Sequence, residues 1–179
     1  RKEKKLNPKL SKLCIENQNV LITGAGGSIG SELSKQVLDL NPNNLILLEN
    51  SEYNMFSSQK KINQILERKN LNTKVFYILG SINDSGLLNK IFSDFKINTI
   101  FHAAAYKHVD LVENNIVSAI NNNIFGTLKL AKYARTFKIK SFILISTDKA
   151  VNPSSIMGKT KKISEIIIQS IANTLKGKK

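Results

Sequence analysis

Five short apolar runs recur along this chain, and longer amphipathic stretches separate them. The runs are nearly continuous in Ile, Leu, Val and Phe, which is typical of strands buried on both faces of a parallel sheet. They are NVLIT (19–23), NLILLE (44–49), KVFYIL (74–79), NTIFHAA (98–104) and KSFILIS (140–146). The stretches between them predict helices over 28–39, 52–69, 84–95, 109–137 and 154–174. This alternation predicts an α/β fold with a doubly wound, Rossmann-like parallel sheet.

The length and composition fit one domain. A chain of 179 residues that is 41% hydrophobic and 22% charged can bury a core of its own. We predict this domain over 18–174, a basic lead-in or linker over 1–17 and a tail over 175–179. The single cysteine, Cys14, excludes an internal disulfide and fits a reducing compartment. No apolar stretch reaches the roughly 20 residues of a membrane span, and the basic start lacks the apolar core of a signal peptide.

The net charge of +14 first suggests a nucleic-acid partner. The lysines, however, are spread along the chain and concentrate at both ends, and no basic stretch alternates with aromatic residues. We therefore predict a solvated basic surface and no nucleic-acid partner. The alternative is a basic N-terminal arm that lies near anionic lipid.

The segment TGAGGSIGSEL (23–33) joins the first predicted strand to the first predicted helix. Gly24, Gly27 and Gly30 give the spacing G-x-x-G-x-x-G, which serves a tight turn, close approach to a pyrophosphate and close helix–strand packing. The helix that starts at Ser28 and Ile29 presents free N–H groups to an anion. We predict dinucleotide binding here, and the absence of a following Lys-Ser or Lys-Thr argues against a nucleoside-triphosphatase loop.

Acidic and small residues follow the next three strands. Glu49 ends the second strand, where an acid accepts hydrogen bonds from the adenosine ribose and repels a 2′-phosphate, so NAD is favoured over NADP. Ser81 and Ile82 follow the third strand, where such folds contact adenine. After the fourth strand, small side chains let the cofactor backbone pass close by, and these are Ala103, Ala104 and Ala105.

The loop after the fourth strand carries candidate substrate contacts. Lys107 and His108 lie at the carboxyl end of a strand, where ligands bind in such sheets, and Lys107 is suited to a substrate phosphate. Asn123, three residues before Gly126, is poorly placed in a helix interior and is predicted to link helix and site. We predict no metal site, because His102 and His108 lack a third ligand at suitable spacing.

The segment STDKAVNPSSIMGKTKK (146–162) follows the fifth apolar run. Together with TGAGGSIGSEL, HAAAYKHV and N-x-x-GT it resembles the nucleotide-sugar 4,6-dehydratases of bacterial polysaccharide and glycan synthesis, in the extended short-chain dehydrogenase/reductase superfamily. The resemblance covers residues 18 to 174 and is closest to the branch acting on UDP-N-acetylglucosamine. Where the superfamily usually has the tyrosine of Tyr-x-x-x-Lys, this chain has Met157, followed by Lys161.

The resemblance implies a reaction without net redox change. A 4,6-dehydratase moves a hydride from C4 of the sugar to NAD, removes the C5 proton, expels the C6 hydroxyl as water and returns the hydride to C6. By this resemblance Asp148 protonates the leaving hydroxyl and Lys149 takes the C5 proton. Thr147 is the local candidate for the 4-hydroxyl, Lys161 binds the nicotinamide ribose and supplies positive charge, and Met157 forms an apolar wall without a proton role.

The resemblance also implies a UDP-sugar partner and a place at the cytoplasmic face of the bacterial inner membrane, since large relatives carry membrane anchors. The resemblance is also compatible with a homo-oligomer. Relatives continue into another strand and a substrate subdomain, so we expect this chain to be a fragment. Two alternatives stay open: a nucleotide-sugar epimerase or reductase, which is expected to keep the tyrosine, and a catalytically silent NAD-binding fragment.

Overall fold

The five apolar runs form five strands of one parallel sheet. The computed structural model describes residues 8–176, with side-chain surroundings for 12–174. The strands are β1 (Asn19–Thr23), β2 (Asn44–Glu49), β3 (Lys74–Leu79), β4 (Thr99–His102) and β5 (Ser141–Leu144). Their order across the sheet is β3-β2-β1-β4-β5, and every pair is parallel. This is the predicted doubly wound sheet, with its change of direction between β1 and β4.

Helices cover both faces of the sheet. They are α1 (Pro8–Ile15), α2 (Ser28–Leu38), α3 (Glu52–Lys69), α4 (Ser85–Phe95), α5 (Val109–Glu113), α6 (Ile116–Ala119), α7 (Thr127–Thr136) and α8 (Ile156–Lys176). Between α6 and α7 lies a π-helical segment, Ile120–Gly126, and a short 3₁₀ turn spans Asp148–Ala150. None of the helices within residues 8–176 combines the length and apolarity that crossing a bilayer requires.

The two faces of the strands bury two separate apolar layers. Side chains alternate along a strand, so Val20 and Ile22 point to one face and Leu21 to the other. The first layer joins Val20, Ile22 and Leu45 to α2 and α3, through Val37 and Ile62. The second layer joins Leu21, Ile46 and Ile100 of β1, β2 and β4 to α4 and α7, through Phe92 and Leu130.

Local sequence signals set several helix ends. The Ser51 hydroxyl accepts a hydrogen bond from the Asn54 N–H at the start of α3, and the Asp84 carboxylate does the same for Leu87 at the start of α4. Helix α3 ends at Asn70, which has φ of 47°, a left-handed conformation that asparagine tolerates.

The predicted helix over 109–137 is wrong as one element. The chain there forms α5 and then, after Asn114 and Asn115, one continuous helical stretch in which the π-helical segment joins α6 to α7. The π-helical segment carries Asn123, whose side-chain hydrogen bonds to distant parts of the chain are described below. A π-helical turn inside a helix is a frequent mark of a functional site.

Part of the predicted lead-in over 1–17 is helical. Residues 8–15 form α1, which starts at a proline, a favoured first helical residue. Ile15 is buried in the first apolar layer, and the Cys14 carbonyl accepts a hydrogen bond from the Thr99 hydroxyl. The predicted tail begins inside α8, which runs to Lys176. Residues 1–7 of the lead-in and 177–179 of the tail lie outside the described residues.

Candidate active site

A cleft of about 840 Å³ lies at the carboxyl ends of the strands. Segments that follow all five strands line it, and β1 and β4, which carry the loops at its centre, are the strands between which the sheet changes direction. Ligands bind at this point in open parallel sheets. Most of the predicted site residues line the cleft: Gly24, Gly27, Ser28, Ile29, Gly30, Glu49, Ser81, Ile82, Ala103, Ala104, Ala105, Lys107, His108, Thr147, Lys149, Met157 and Lys161. Asp148 and Asn123 do not.

The loop after β1 is shaped by its glycines. Gly24 has φ of 68°, and a Cβ there would lie 2.6 Å from the Ala104 nitrogen, so only glycine allows this turn against β4. A Cβ on Gly27 would meet only the Gly24 carbonyl oxygen, at 3.4 Å, and would otherwise occupy the cleft. The first N–H groups of α2 have no partner within the helix, as at every helix start. This loop therefore fits an anionic group such as a pyrophosphate.

Glu49 connects the end of β2 to the same loop. Its Oε2 accepts a hydrogen bond from the Gly26 N–H at 2.9 Å, and its Oε1 accepts from the N–H groups of Asn50 and Ser51, both at 3.0 Å. The side chain is almost fully buried yet lines the cleft. Because a carboxylate oxygen can accept two hydrogen bonds, Oε2 can take one more from a ligand hydroxyl.

Lys107 lies on the glycine-loop side of the cleft. Its Nζ donates to the Ser28 hydroxyl at 2.9 Å, which joins the loop after β4 to the start of α2. The sequence predicted a substrate phosphate as its partner. In the structure the Lys107 ammonium group is next to the loop that fits a pyrophosphate. Its position therefore suits a cofactor phosphate as well as a substrate phosphate. His108 occupies the N-cap position of α5, makes no side-chain capping hydrogen bond there, and is exposed.

Asn123 does not line the cleft, although we predicted a substrate contact. Its side chain is 1% exposed, and all four of its hydrogen-bonding positions are used. Its Oδ1 accepts from the Tyr106 N–H at 2.8 Å and from the Asn122 amide at 3.1 Å. Its Nδ2 donates to the Tyr106 carbonyl and to the Thr160 hydroxyl, both at 3.0 Å. Asn123 thus holds the loop after β4 against α8 and has no group left for a substrate.

The neighbouring Asn122 takes the cleft position that the sequence assigned to Asn123. It is buried and lines the cleft beside Ser118 and Asn115. These three polar residues recur every three or four positions, so they share one side of the helical chain. The spacing of these three residues can be read from the sequence. The π-helical segment that contains Asn122 and Asn123 cannot, so the sequence did not show which asparagine faces the cleft.

His102 connects β4 to two other elements beneath the cleft. The Thr127 hydroxyl donates to the Asn123 carbonyl at 2.6 Å, so it accepts from the His102 Nε2–H at 2.9 Å. The Thr23 hydroxyl then donates to His102 Nδ1 at 2.6 Å. Complete burial, and then the charge of Lys161, lower the pKa of His102 to about 3, so the ring is neutral at neutral pH.

The segment after β5 presents Thr147 and Lys149 to the cleft. Asp148 is exposed instead, and its carboxylate accepts from the Thr147 hydroxyl and the Lys149 N–H, both at 3.0 Å. The Thr147 hydroxyl bond, followed by the Lys149 backbone bond, lowers the pKa of Asp148. Asp148 is thus ionised here, whereas a general acid must carry a proton.

Met157 and Lys161 lie one turn apart on α8, on the same face. Met157 is 3% exposed and packs with Val112 and Ala119, so it forms an apolar part of the cleft wall. Lys161 is 6% exposed, and its Nζ donates to the Ile145 carbonyl at 2.7 Å. Burial lowers the pKa of Lys161 to about 8, and the nearby Glu165 partly opposes that shift.

Comparison with known proteins gives relatives that act in polysaccharide biosynthesis or on nucleotide sugars, according to their names. A family model described as "Polysaccharide biosynthesis protein" matches residues 20–179. The capsular polysaccharide biosynthesis protein CapD of Staphylococcus aureus is 42% identical over 157 residues, which cover 88% of this chain and 26% of that protein. An inverting UDP-N-acetylglucosamine 4,6-dehydratase of Campylobacter jejuni is 32% identical over 163 residues, 90% of this chain and 46% of that protein. The chain thus spans less than half the length of these relatives.

Among solved structures, the dTDP-glucose 4,6-dehydratase DesIV of Streptomyces venezuelae, with NAD and TYD bound, superimposes with a TM-score of 0.74. The match covers 88% of this chain and 52% of that one, at 22% identity. At that identity the likeness concerns the fold alone, and it agrees with the strand order described above.

Proposed function

This chain belongs to the polysaccharide biosynthesis protein family, and we propose that it forms the NAD-binding part, over residues 18–174, of a UDP-N-acetylglucosamine 4,6-dehydratase. Its relatives include nucleotide-sugar dehydratases and epimerases, so we expect this chain to be part of an enzyme of that superfamily. The choice of dehydration rests on the residues of the cleft.

The observation that carries the proposal is that one cleft contains both a cofactor loop and a set of proton-transfer groups. Gly27 and Glu49 line one part of it, and Thr147, Lys149 and Lys161 line another. A dehydratase needs these two sets next to each other, because hydride and proton leave adjacent carbons of the same sugar.

The residues present fit NAD as the cofactor. The open side of Gly27 and the free N–H groups of α2 suit the pyrophosphate, and the free lone pair of Glu49 suits a ribose hydroxyl. The same carboxylate would repel the 2′-phosphate of NADP. NAD, when bound, supplies reversible acceptance of one hydride, from C4 of the sugar and back to C6.

Lys149 and Asp148 carry the two proton transfers of the elimination in this proposal. Lys149 lines the cleft and takes the C5 proton. Asp148 gives a proton to the departing C6 hydroxyl, which leaves as water. For that, bound sugar must displace water from Asp148, since desolvation raises a carboxyl pKa and the free chain holds it ionised.

Thr147 and Lys161 replace the usual tyrosine at the 4-hydroxyl in this proposal. The Thr147 hydroxyl orients the sugar hydroxyl and relays its proton to the Asp148 carboxylate, to which it donates a hydrogen bond at 3.0 Å. The Lys161 ammonium stabilises the negative charge that develops on the sugar oxygen. One of the three Lys161 donors is used by the Ile145 carbonyl, which leaves two for ribose and sugar. Met157 supplies an apolar wall beside them.

The test is product analysis by NMR after mixing the chain with UDP-N-acetylglucosamine and NAD+ in D2O. We expect a 4-keto-6-deoxy product that carries deuterium at C5, because the C5 proton exchanges with solvent. A C4 epimer without a ketone would instead identify an epimerase. If the chain binds NAD and makes no product, the same assay on a version extended beyond Lys179 separates a missing substrate region from a silent cleft.

Lys149→Met should abolish product formation and leave NAD affinity unchanged within about twofold, because Lys149 is an exposed side chain outside the glycine loop. Lys159→Met is the matched control, since Lys159 is an exposed lysine of α8 that does not line the cleft. Turnover by the Lys149→Met protein would show that another group is the base.

A further inference from the structure

Two residues of α8 hold the point where β5 ends and the Thr147–Lys149 segment begins. Lys161 donates to the Ile145 carbonyl at 2.7 Å, and Glu165 accepts from the Ser146 hydroxyl at 2.6 Å. Lys161 and Glu165 are four residues apart, so they lie on the same face of the helix. Ile145 and Ser146 are consecutive, so α8 fixes two successive residues just before the segment that carries the proposed chemistry.

We propose that Glu165 is a positioning residue of the cleft: it anchors Ser146 in front of Thr147–Lys149, and its carboxylate is the counter-charge of the buried Lys161 ammonium. The side chain is 26% exposed, so it is partly withdrawn from water, which strengthens both interactions. This inference deepens the proposed function and rests on it only for the role of Lys161 toward the sugar.

The charges around Lys161 agree with that assignment. Burial disfavours its charged form, and Glu165 is the group that favours it. Facing it from β4 is His102, which is neutral at neutral pH, and Lys149 lines the same cleft. Lys162 lies beside Glu165, with its Nζ 3.6 Å from Oε2, and is partly exposed. Among the described residues, Glu165 is the anionic group that acts on the Lys161 pKa.

The two parts of the proposal can be separated by substitution. Glu165→Gln removes the charge and keeps an amide oxygen that accepts from Ser146. Ser146→Ala removes the hydrogen bond and keeps the charge. Glu165→Leu removes both. Lys162→Met is the matched control, because it removes the other charged partner of Glu165 without changing Glu165 itself.

The experiment is an NMR titration of Lys161 Nζ in the free chain, assigned through Lys161→Arg, together with amide hydrogen exchange over 145–149. Glu165→Gln should lower the Lys161 pKa by about one unit, since an opposite charge is lost, and leave exchange unchanged. Ser146→Ala should leave the Lys161 pKa unchanged and speed exchange by about fivefold, the effect of one lost hydrogen bond. Lys162→Met should not lower the Lys161 pKa.

Two results would overturn the proposal. One is an unchanged Lys161 pKa in Glu165→Gln, and the other is unchanged exchange over 145–149 in both Ser146→Ala and Glu165→Leu. Neither measurement contains NAD or sugar. Failure here therefore leaves the proposed reaction standing, and a lack of turnover leaves a positive result here intact.

Discussion

At the scale of single residues, Gly27 and Gly30 serve the glycine loop in different ways. A Cβ on Gly30 would overlap the carbonyl oxygen of Gly24, so Gly30 lets α2 pack closely against the turn. A Cβ on Gly27 would meet little protein and would fill the cleft instead. One glycine is thus required for packing and the other for space in which a ligand binds.

This difference predicts opposite outcomes for two alanine substitutions. Gly30→Ala should lower the free energy of unfolding by about 3 kcal/mol, because the new methyl group forces the loop and α2 apart. Gly27→Ala should change it by less than about 1 kcal/mol and weaken NAD binding by about tenfold or more. Urea unfolding and calorimetric titration with NAD measure the two effects. Equal destabilisation by both substitutions would contradict the assignment.

His102 is the residue whose protonation should most affect stability. Its pKa falls from 6.5 to about 3 on folding, chiefly through burial. As the pH drops below 6.5, the unfolded chain binds a proton that the folded chain does not, so the folded state loses stability. Above pH 6.5 both states are neutral at this ring and its contribution no longer depends on pH.

We therefore expect the free energy of unfolding to fall by about 1.4 kcal/mol per pH unit from this residue as the pH is lowered below 6.5. Urea unfolding at about pH 7.5, 6 and 5 measures the slope. His102→Gln should lose this part of the slope, and His108→Gln, on an exposed ring, should keep it. An identical slope in His102→Gln and the parent chain would refute the prediction.

At the scale of elements, the π-helical segment connects the loop after β4 with α8. Its three consecutive asparagines have three environments: Asn121 is exposed, Asn122 lines the cleft and Asn123 is buried. Through Asn123 the segment holds the loop after β4 and the helix that carries Lys161. The main-chain carbonyl of Asn123 also accepts a hydrogen bond from the Ser164 hydroxyl, at 2.8 Å.

Asn123→Ala should lower the free energy of unfolding by about 3 kcal/mol, because it leaves the Tyr106 N–H and carbonyl without their buried partner. Asn121→Ala, two residues away on the surface, should change it by less than about 0.5 kcal/mol. Thermal or urea unfolding of the two proteins makes the comparison. A mild effect of Asn123→Ala would mean that water replaces the asparagine in this position.

At the scale of the whole molecule, the sheet order brings together segments that are far apart in the chain. Gly24 and Lys161 are 137 residues apart in sequence and line the same cleft, because β1 and β4 are neighbours and β5 follows β4. A ligand that spans this cleft contacts loops from both halves of the sheet. Its binding should therefore stabilise the molecule as a unit.

We predict that NAD at about 100 times its dissociation constant raises the stability by about 2.7 kcal/mol, which is a rise in Tm of about 5 to 10 °C for a domain of this size. NADP at the same concentration should give less than half that rise, because its 2′-phosphate meets the Glu49 carboxylate. A thermal-shift assay with both cofactors measures this. An equal rise with NADP would contradict the role of Glu49.

Local patterns in the sequence were sufficient for the strands, for most helix starts and for the cleft residues at strand ends. The glycine loop, Glu49 and the three alanines follow strands directly, and the ends of parallel strands meet at one edge whatever the remaining contacts are. Thr147, Lys149 and Lys161 were assigned to the site through the family resemblance, and the structure places all three along the same cleft.

Other features depend on contacts between distant residues, which no local pattern contains. Helix α1 contacts the rest of the fold through the buried Ile15 and through the hydrogen bond from Thr99 to the Cys14 carbonyl. Asn123 joins the π-helical segment to α8, and Asp148 is exposed in the turn that follows β5. The hydrogen bond that Glu165 accepts from Ser146 likewise depends on packing, because the two residues lie on different elements. The sequence by itself determined the five strands and the loops at their carboxyl ends. Only the tertiary structure decided between neighbouring side chains, so that Asn122 rather than Asn123 and Thr147 rather than Asp148 line the cleft. The physical reason is that a hydrogen bond between distant segments exists only after both have packed.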